Sequence, residues 1–393
     1  MILSRLCILS FSLSLLLLSF TAFTEAGPKT ANPQQPKNPR EIRVLLDELT
    51  SSIEIEARSS LKLIDFKNGK VIGMVLEGEK LPIKMTASAL SVPHGNWSGQ
   101  ALLLQPLSSQ EILQYKNYLY RGSLVLQLDA TGKMILVNHL NLDQYLYGVL
   151  PQEISPKWHS ESIKAQAVAS RTFSIHKIEK SGARPFDLRA DSLDQVYKGV
   201  LGESKITTEI VNMTRGQALF YNHNIIMAVF HDTCSGKTEN ASEIWSQGNY
   251  PYLVSKKCDF CQNSPHFQWQ TRISLEDISN LLGAKGFPNK GISFIKPESF
   301  TTSGRVKAFS LSDGIKNFML PANDFRLILN PDVIRSTFLD LTIDNRYVIF
   351  RGQGWGHGVG FCQWGAKVMA EMGANYLEIL KYYYSGTEIV KLY

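Results

Sequence analysis

Short alternating runs of apolar and polar residues fill the part of the chain that follows residue 40. These runs lie between Ile42 and Leu128 and are separated by Gly, Asn and Ser: IRVLLDEL, SIEIEA, LKLIDF, KVIGMVLE and SLVLQLD. An apolar side chain at every second position is typical of a strand with one buried face. The pattern therefore predicts a β-rich N-terminal region over residues 41–123.

A later segment, SESIKAQAVASRTFSIHKIEKSG, has the spacing of a helix. Ser160 is its candidate N-cap and Gly182 its candidate end. Its apolar residues recur at helical spacing: Ile163, Ala167, Val168, Ile175 and Ile178. A buried strand is predicted for IIMAVFHD and a final helix for YLEILKYYYSG. Because strands and helices are interspersed without a βαβ rhythm, we predict an α+β fold, with a mixed α/β lobe over residues 124–393 after the β-rich lobe.

The N-terminus has the build of an exported protein. MILSRLCILSFSLSLLLLSFTAFTEAG combines one positive charge, a long apolar stretch and small residues before a predicted cleavage after Ala26. This is typical of a secretory signal peptide, predicted over residues 1–26, although the apolar stretch also fits an uncleaved membrane anchor. Residues 27–40 are rich in Pro, Asn and Gln and predict a flexible linker. We therefore expect an extracytoplasmic location, in the periplasm or cell envelope.

Charge narrows the set of partners only slightly. The 393 residues carry 41 Lys and Arg against 35 Asp and Glu, a formal net charge of +6. The sequence holds no basic run of the kind that binds nucleic acid, so we expect no nucleic-acid partner. The mild positive excess suits an anionic polymer, or a membrane surface if the leader stays attached.

One acidic residue lies in an apolar setting, in the stretch LPQEISPKW. Glu153 has Leu150, Pro151, Ile154 and Pro156 as close neighbours. The prolines restrict the backbone, so we expect a stiff turn that enters the following helix. Apolar neighbours disfavour the charged carboxylate and should raise its pKa, as a group that donates a proton near neutral pH requires. The alternative is a solvent-facing glutamate in a loop.

Two long polar side chains, Gln166 and Arg171, occur among small residues of the predicted helix. The alanines at positions 165, 167 and 169 allow a neighbouring element to approach closely. Arg171 is then a candidate to pair with a carboxylate or to hold a charged or hydroxyl-rich ligand. An ordinary arginine on a helix surface is the alternative.

Glycine occupies every second position from Gly352 to Gly360, within RGQGWGHGVGFCQWGA. Period two is the period of a strand, so the glycines would leave one face bare and put Trp355 and His357 on the other. Glycine in a strand is typical of a close approach by backbone or ligand. A bare strip beside tryptophans suits a polymer of sugar rings, with His357 and Gln363 bonding hydroxyls. A glycine-rich packing or hinge segment is the alternative.

Four cysteines follow the leader: Cys234, Cys258, Cys261 and Cys362. The motifs HDTC and CDFCQNSPH have a spacing that suits a closed zinc site, with His231, Cys234, Cys258 and Cys261 as predicted ligands. A disulfide, most simply between Cys234 and one of the CxxC pair, is an equal alternative in an oxidising compartment. His231 is also a candidate for a substrate cleft.

Together these motifs resemble the stage II sporulation protein D family, which includes proteins called amidase enhancers. The resemblance runs from about Leu124 to the C-terminus and lies in YLYGVLPQEISPKWHSESIKAQAVASRTF, FHDTCSGKTENASEIW, PYLVS, SPHFQW and GWGHGVGFCQWGA. It implies that residues 124–393 are the catalytic domain of a lytic transglycosylase acting on peptidoglycan strands stripped of stem peptides. The implied catalytic residues are Glu153 and Arg171. The implied substrate-binding residues are Gln166, His231, Trp355, His357 and Gln363.

The implied reaction needs a single carboxyl group. Glu153 would protonate the glycosidic oxygen and then, as carboxylate, take the proton of the muramic C6 hydroxyl, which leaves a 1,6-anhydro end. No cofactor is required, and a structural zinc is a candidate addition. A non-catalytic glycan-binding module that recruits or stimulates a cell-wall amidase is the competing hypothesis. A zinc amidase built on the cysteine cluster is less favoured, because thiolate-rich sites are typically structural.

The chain also departs from the family pattern. It has Phe361 and Cys362 where the family usually has Met and Ser, and it has neither Cys nor His just ahead of the element QVY, where some relatives hold zinc. The resemblance therefore implies no zinc for this chain. The prediction of a metal site at the cysteines depends on the spacing of those cysteines alone.

Overall fold

The computed structural model describes residues 40–86, 88–191, 193–245, 250–287 and 291–393. The predicted signal peptide and all but the last residue of the predicted linker lie outside these described residues. Within the described residues, no helix has the length and apolar character that crossing a membrane requires.

Strands dominate the N-terminal region, as predicted. Twelve strands precede the first helix in the described residues: β1 (Glu41–Leu49), β2 (Ile53–Glu56), β3 (Leu61–Asp65), β4 (Val71–Val75), β5 (Lys80–Met85), β6 (Leu90–Ser91), β7 (Ser98–Gly99), β8 (Ala101–Pro106), β9 (Leu113–Tyr115), β10 (Tyr118–Tyr120), β11 (Ser123–Leu128) and β12 (Met134–Asn141). The alternation of apolar residues follows from burial, since β1, β3 and β5 each bury alternate side chains along most of their length.

The middle of the chain mixes helices with short strands. In order these are α1 (Leu142–Glu153), α2 (Ser160–Ser181), β13 (Leu188–Arg189), α3 (Lys205–Met213), β14 (Gln217–Tyr221), β15 (Asn224–Ile225), β16 (Phe230–His231), β17 (Gly236–Lys237), α4 (Ala241–Ile244) and β18 (Lys257–Cys258). The predicted strand over IIMAVFHD is thus broken into β15 and β16, with irregular backbone between them.

The remaining elements complete an α+β fold. They are β19 (Gln268–Ser274), α5 (Leu275–Ala284), β20 (Phe294–Phe300), β21 (Val306–Ser312), β22 (Asn317–Pro321), α6 (Ala322–Ile328), β23 (Leu339–Asp344), β24 (Tyr347–Gln353), β25 (Phe361–Cys362), α7 (Gln363–Glu371), α8 (Tyr376–Tyr383) and β26 (Glu388–Lys391). The final predicted helix is α8, and its start is fixed by a capping box between Asn375 and Glu378.

The largest sheet joins the two predicted regions. Its strand order is β13-β1-β12-β11-β8-β3-β4. Because β11 pairs with β8 on one side and β12 on the other, hydrogen bonding continues across the boundary predicted between residues 123 and 124. β12 leads directly into α1, whose N-cap Asn141 accepts the backbone N–H groups of Asp143 and Gln144. The sheet therefore holds the start of the helix that carries Glu153.

Helix α2 is the buried centre of the main core. It spans Ser160–Ser181 and ends at Gly182, which has a φ of 58°, as the sequence predicted. Its N-cap is His159 rather than Ser160, because the His159 ring accepts the Glu161 N–H. The alanines at positions 165, 167 and 169 are fully buried, and α2 packs against α1, α3, α7, α8 and β14.

A second, separate core lies within residues 269–350. Its largest buried side chains are Trp269, Phe309, Phe325 and Phe350, contributed by β19, β21, α6 and β24. β24 pairs with β19 on one side and β23 on the other. It then leads directly into the glycine-rich segment, so this core anchors the N-terminal end of that segment.

Candidate active site

A cleft of about 640 Å³ has Glu153 in its wall. It is formed by the end of α1, by the residues around β16, by the α6 region and by the glycine-rich segment. Its aromatic lining comes from Phe173, Phe230, Trp245 and Trp355, and its charged lining includes Asp194, Asp232, Asp332, Lys177 and Arg326. The cleft therefore combines aromatic and apolar surface with many polar and charged groups.

Glu153 is the last residue of α1, not part of a stiff turn that enters α2. Pro151 lies in the final turn of this helix, and the Ile154 N–H closes it by donating to the Leu150 carbonyl at 3.0 Å. The Glu153 side chain is partly buried, and its Oε1 accepts the Val196 N–H at 3.2 Å. Burial raises the pKa of Glu153 to about 7, against the opposing effect of the Val196 hydrogen bond. The carboxyl group is therefore substantially protonated at neutral pH, as its apolar neighbours predicted.

The Val196 N–H, which donates to Glu153, is kept in place by the buried side chain of the preceding residue, Gln195. Gln195 Oε1 accepts the hydroxyl of Tyr145 on α1 at 3.3 Å and that of Ser174 on α2 at 2.8 Å. These bonds fix the segment that carries Val196 against both helices. The sequence analysis did not select Gln195. The feature that could have indicated its burial is its position beside two apolar residues in the motif DQVY.

Arg171 does not line the cleft, although the resemblance implied a catalytic role for it. Its side chain is fully buried, and both Nε and Nη2 contact Asp143 Oδ1, at 3.0 and 2.9 Å. Nη2 also donates to the Val211 carbonyl at 3.1 Å and Nη1 to the Gln217 carbonyl at 3.3 Å. The guanidinium thus joins the first turn of α1 to α2, α3 and β14. The structure assigns Arg171 to the support of α1 rather than to contact with substrate.

Gln166 lies beneath the cleft and supports a residue that lines it. Its Nε2 donates to Ser170 Oγ at 3.1 Å, and its Oε1 accepts Nε2 of Gln363 at 3.3 Å. Gln363, the first residue of α7, lines the cleft. Of these two predicted binding residues, the structure therefore brings Gln363 to the cleft and gives Gln166 a positioning role.

His231 lines the cleft and has one ring nitrogen without a hydrogen-bond partner among the described residues. Its Nδ1 is 3.0 Å from the Val359 carbonyl, which can only accept, so Nδ1 carries the proton. Its Nε2 is buried and has no hydrogen-bond partner among the described residues. Burial and the nearby Arg305 lower the pKa of His231 to about 3. The ring is therefore neutral at physiological pH, with Nε2 available to accept a hydroxyl proton.

His357 lines the cleft but is engaged by the protein itself. Its Nδ1 accepts the Val359 N–H at 3.0 Å, and the backbone of Phe230 is a second hydrogen-bond partner of the ring. The ring packs against Trp245 at 5.3 Å and against His231 at 5.6 Å between centroids. Burial lowers the pKa of His357 well below its ordinary value. His357 therefore holds the shape of the wall, in contrast to the predicted hydroxyl-bonding role.

The glycine-rich segment is not a strand beyond Gln353, so the predicted bare face does not exist. Gly354, Gly356, Gly358 and Gly360 all have positive φ, between 71° and 109°. A Cβ added to Gly354 would lie 2.4 Å from the carbonyl oxygen of residue 233, and one added to Gly356 would lie 2.5 Å from the Cβ of residue 231. The period of two thus comes from left-handed backbone at these four glycines, three of which pack against residues 229–235 while Gly358 faces the Arg305 guanidinium. This confirms the packing alternative.

Trp355 reaches the cleft from the same segment. Its backbone N–H and carbonyl both pair with Thr233, at 2.9 and 3.1 Å. Its half-buried ring lies edge-to-face with His266 at 4.6 Å, and the Arg335 guanidinium lies 5.0 Å from its centroid. The indole is therefore in contact with two neighbouring side chains, and Trp355 also lines the cleft.

Asp232 and Arg326 are among the charged groups of the cleft that the sequence analysis missed. Asp232 lies within the HDTC motif, and its carboxylate accepts the Thr233 hydroxyl at 2.6 Å. Arg326 on α6 donates to the Arg335 carbonyl at 3.1 Å, and burial lowers its pKa to about 10, so it stays charged. Asp232 was overlooked because its neighbours His231 and Cys234 were interpreted as metal ligands. Arg326 has no local sequence signal.

The cysteines form a cluster of their own. Cys234, Cys258, Cys261 and Cys362 are all buried, and their sulfur atoms lie within 4.8 Å of one another. The four are free thiols in the structure. Cys362 takes the fourth position that the sequence analysis gave to His231, because the His231 ring points to the Val359 carbonyl instead.

Comparison with known proteins connects these residues to one family. The sequence model of the family described as Stage II sporulation protein matches residues 130–221, and a domain of unknown function matches residues 238–360. An uncharacterized protein of Brachyspira hyodysenteriae is 32% identical, over 89% of this chain and 92% of its own length. The stage II sporulation protein D of Bacillus amyloliquefaciens is 30% identical, over 64% of this chain and 75% of its own length.

A third relative is longer than the chain. The amidase enhancer of Bacillus subtilis is 31% identical over 62% of this chain, but the match spans only 40% of that protein. The family matches confirm the resemblance seen in the sequence motifs. The first family match contains Glu153, Gln166 and Arg171, and the second contains Trp355 and His357.

Proposed function

The chain belongs to the stage II sporulation protein D family, and from that premise we propose that it is a lytic transglycosylase that cleaves peptidoglycan glycan strands. The family and the amidase-enhancer relative support a function in the cell wall. The observation that carries the finer proposal is Glu153, a partly buried carboxyl group in a cleft, with its pKa raised to about 7. The predicted leader would deliver the chain to the cell envelope, where this substrate lies.

One carboxyl group suffices for the proposed reaction. Protonated Glu153 donates its proton to the glycosidic oxygen as the bond from that oxygen to C1 of N-acetylmuramic acid breaks. The C6 hydroxyl of the same sugar attacks C1, and the Glu153 carboxylate takes its proton. A 1,6-anhydro end forms, no water is consumed, and Glu153 returns to its protonated form. A hydrolase would instead need a second carboxyl group to activate water or to act as nucleophile.

The other cleft residues suit the binding of a sugar strand. The buried Nε2 of His231 can accept a sugar hydroxyl, which would satisfy an acceptor that has no partner among the described residues. Gln363 offers a side-chain amide held by Gln166. The indole of Trp355 and the ring of Trp245 provide apolar surfaces in the same wall. These contacts would position the strand against Glu153.

The experiment that tests the proposal is product analysis by mass spectrometry. Purified protein is incubated in ¹⁸O-labelled water with glycan strands that either carry or lack stem peptides. We expect 1,6-anhydro-muramic ends without incorporated ¹⁸O, and we expect them from the peptide-free strands, the preference that the family resemblance implies. Reducing ends that contain ¹⁸O would show hydrolysis and overturn the transglycosylase assignment.

A non-catalytic enhancer of a cell-wall amidase is the second candidate. The relative named amidase enhancer favours it. In that case the cleft would bind glycan strands without cleaving them, and the chain would raise the activity of an added amidase. Binding of peptide-free strands without any new ends in the assay above would support this candidate over the first.

The raised pKa of Glu153 predicts the direction of the pH dependence. Because the general acid must be protonated, kcat/KM should fall as the pH rises through about 7, the pKa of this carboxyl group. Above that value the loss should be roughly tenfold for each pH unit. A pH–rate profile on peptide-free strands measures this limb. If the limb lies near 4.5, the ordinary value for a glutamate, Glu153 is not the acid.

A further inference from the structure

The four-cysteine cluster has the dimensions of a tetrahedral metal site. All four sulfur atoms lie within 4.8 Å of one another, and those of Cys234 and Cys261 are 3.5 Å apart. Zinc–sulfur bonds of about 2.3 Å place the sulfurs of a tetrahedral site roughly 3.8 Å apart. A disulfide requires about 2.05 Å between sulfurs and joins them only in pairs. The mutual approach of all four therefore fits a common centre better than two separate bonds.

Hydrogen-bond donors surround the sulfurs on the protein side. Cys362 Sγ accepts the Cys234 and Gly365 N–H groups, both at 3.4 Å. The hydroxyl of Tyr383 lies 3.3 Å from Cys258 Sγ, and the Gly236 backbone contacts Cys261. Donors of this kind stabilise thiolates, which are the form that binds a metal.

A buried cation lies beside the cluster. The Arg305 guanidinium is fully buried and donates to the Cys234 carbonyl at 2.6 Å and to the Lys237 carbonyl at 3.0 Å. Four thiolates around a divalent ion carry a net charge of −2, so a neighbouring guanidinium offsets part of this charge. Glu239 is a nearby opposite charge that also acts on this guanidinium.

We propose that Cys234, Cys258, Cys261 and Cys362 hold one structural Zn²⁺. Four thiolates complete a tetrahedral shell, which leaves no open position for water or substrate, so the ion would have no part in the chemistry at Glu153. His231, which the sequence placed among the ligands, stays in the cleft. This proposal is independent of the reaction that the cleft performs.

The zinc would fix two walls of the cleft to each other. β16 and β25 pair in parallel. Cys234 comes three residues after His231, the last residue of β16, and Cys362 is the last residue of β25 and directly precedes Gln363. The CxxC pair of Cys258 and Cys261 ties the segment after β18 to the same point. Since these segments are far apart in sequence, metal binding would contribute to folding stability.

The first test uses the wild-type protein purified without added metal or chelator. Elemental analysis should give one zinc per chain. The intact mass should be that of the fully reduced chain, and thiols should react with a disulfide reagent only after denaturation with a chelator. A mass lowered by the hydrogens of two disulfides, with no zinc, would overturn the proposal. Bound iron in place of zinc would overturn the identity of the metal.

The second test separates Cys362 from His231 as the fourth ligand. Cys362→Ser should lose most of the bound zinc and lower the thermal midpoint, whereas His231→Gln should keep one zinc per chain. Cobalt substitution provides a readout that does not depend on activity, because the thiolate-to-cobalt absorption of the wild type should match four sulfur ligands. Zinc lost in His231→Gln but kept in Cys362→Ser would show that the ligand set is wrong. Should Cys362→Ser fail to fold, the cobalt spectrum of the wild type decides the number of sulfur ligands.

Discussion

Replacing Glu153 by Gln will lower the turnover of peptide-free glycan strands by about a hundred- to ten-thousand-fold, the usual contribution of general acid–base catalysis. The amide has the shape of the carboxylic acid but can neither give nor take the proton. Strand affinity should stay nearly unchanged, since His231, Gln363 and Trp355 still form the cleft. Release of anhydro ends and equilibrium binding of the same strands provide the two measurements.

The matched control is Glu179→Gln, the same chemical change outside the cleft. Glu179 is an exposed residue of α2 whose ion pair with Arg40 is open to solvent, and exposed pairs contribute little to stability. Turnover should therefore remain at the wild-type level. If Glu153→Gln retains comparable turnover, the acid–base assignment fails. If the wild type binds strands without turnover and Glu153→Gln loses that binding, the enhancer candidate gains support, because Glu153 would then matter for affinity alone.

Stability measurements show whether Glu153→Gln is folded. Burial raises the pKa of Glu153 from 4.5 to about 7, so the folded state binds this proton more tightly than the unfolded state does. The resulting stability is fully present below pH 4.5 and is lost as the pH rises through about 7. Glu153→Gln lacks this loss, so above pH 7 it should be more stable than the wild type by up to about 3 kcal/mol. A variant that gains stability in this way while losing turnover has lost chemistry rather than structure.

Local sequence patterns predicted those features that depend on local physics. Helix α2 follows from apolar spacing and from the left-handed Gly182. The N-terminal strands follow from alternating burial. In each case the residues that decide the outcome are close in sequence, so a short window contains the necessary information.

Long-range packing decided the features that the sequence analysis missed. The glycine period is the period of a strand, but its cause is close contact with residues distant in sequence, among them residues 229–235 and Arg305, which no local pattern shows. Cys362 replaces His231 in the cysteine cluster because the pairing of β16 and β25 brings it to Cys234, from which it is separated by 128 residues in sequence. The family resemblance implied a catalytic role for Arg171, and the sequence analysis offered a carboxylate partner only as one option, because the actual partner, Asp143, lies in a different helix.

The buried ion pair of Arg171 and Asp143 leads to the second large expected effect. Arg171→Met removes the buried partner of Asp143 and leaves the carboxylate with the exposed Arg215, whose Nε lies 3.6 Å from Asp143 Oδ2. It also leaves the Val211 and Gln217 carbonyls without the Arg171 donors. Breaking a buried pair by removing one partner typically costs about 3–5 kcal/mol. We therefore expect a loss of this size in the free energy of unfolding, measured by urea titration, while kcat of the remaining folded protein stays near the wild-type value.

A control variant and a double variant distinguish a structural role of Arg171 from a catalytic one. Arg189→Met removes an exposed pair with Glu48 and should cost less than about 1 kcal/mol. Asp143→Asn combined with Arg171→Met should be more stable than Arg171→Met alone, because no uncompensated charge is then buried. A positioning role of Arg171 predicts this recovery of stability, because the single variant is destabilised by the buried charge of Asp143 on α1. If Arg171→Met instead keeps its stability and loses kcat as severely as Glu153→Gln, the guanidinium contacts the reacting sugar, and the catalytic role implied by the family resemblance is correct.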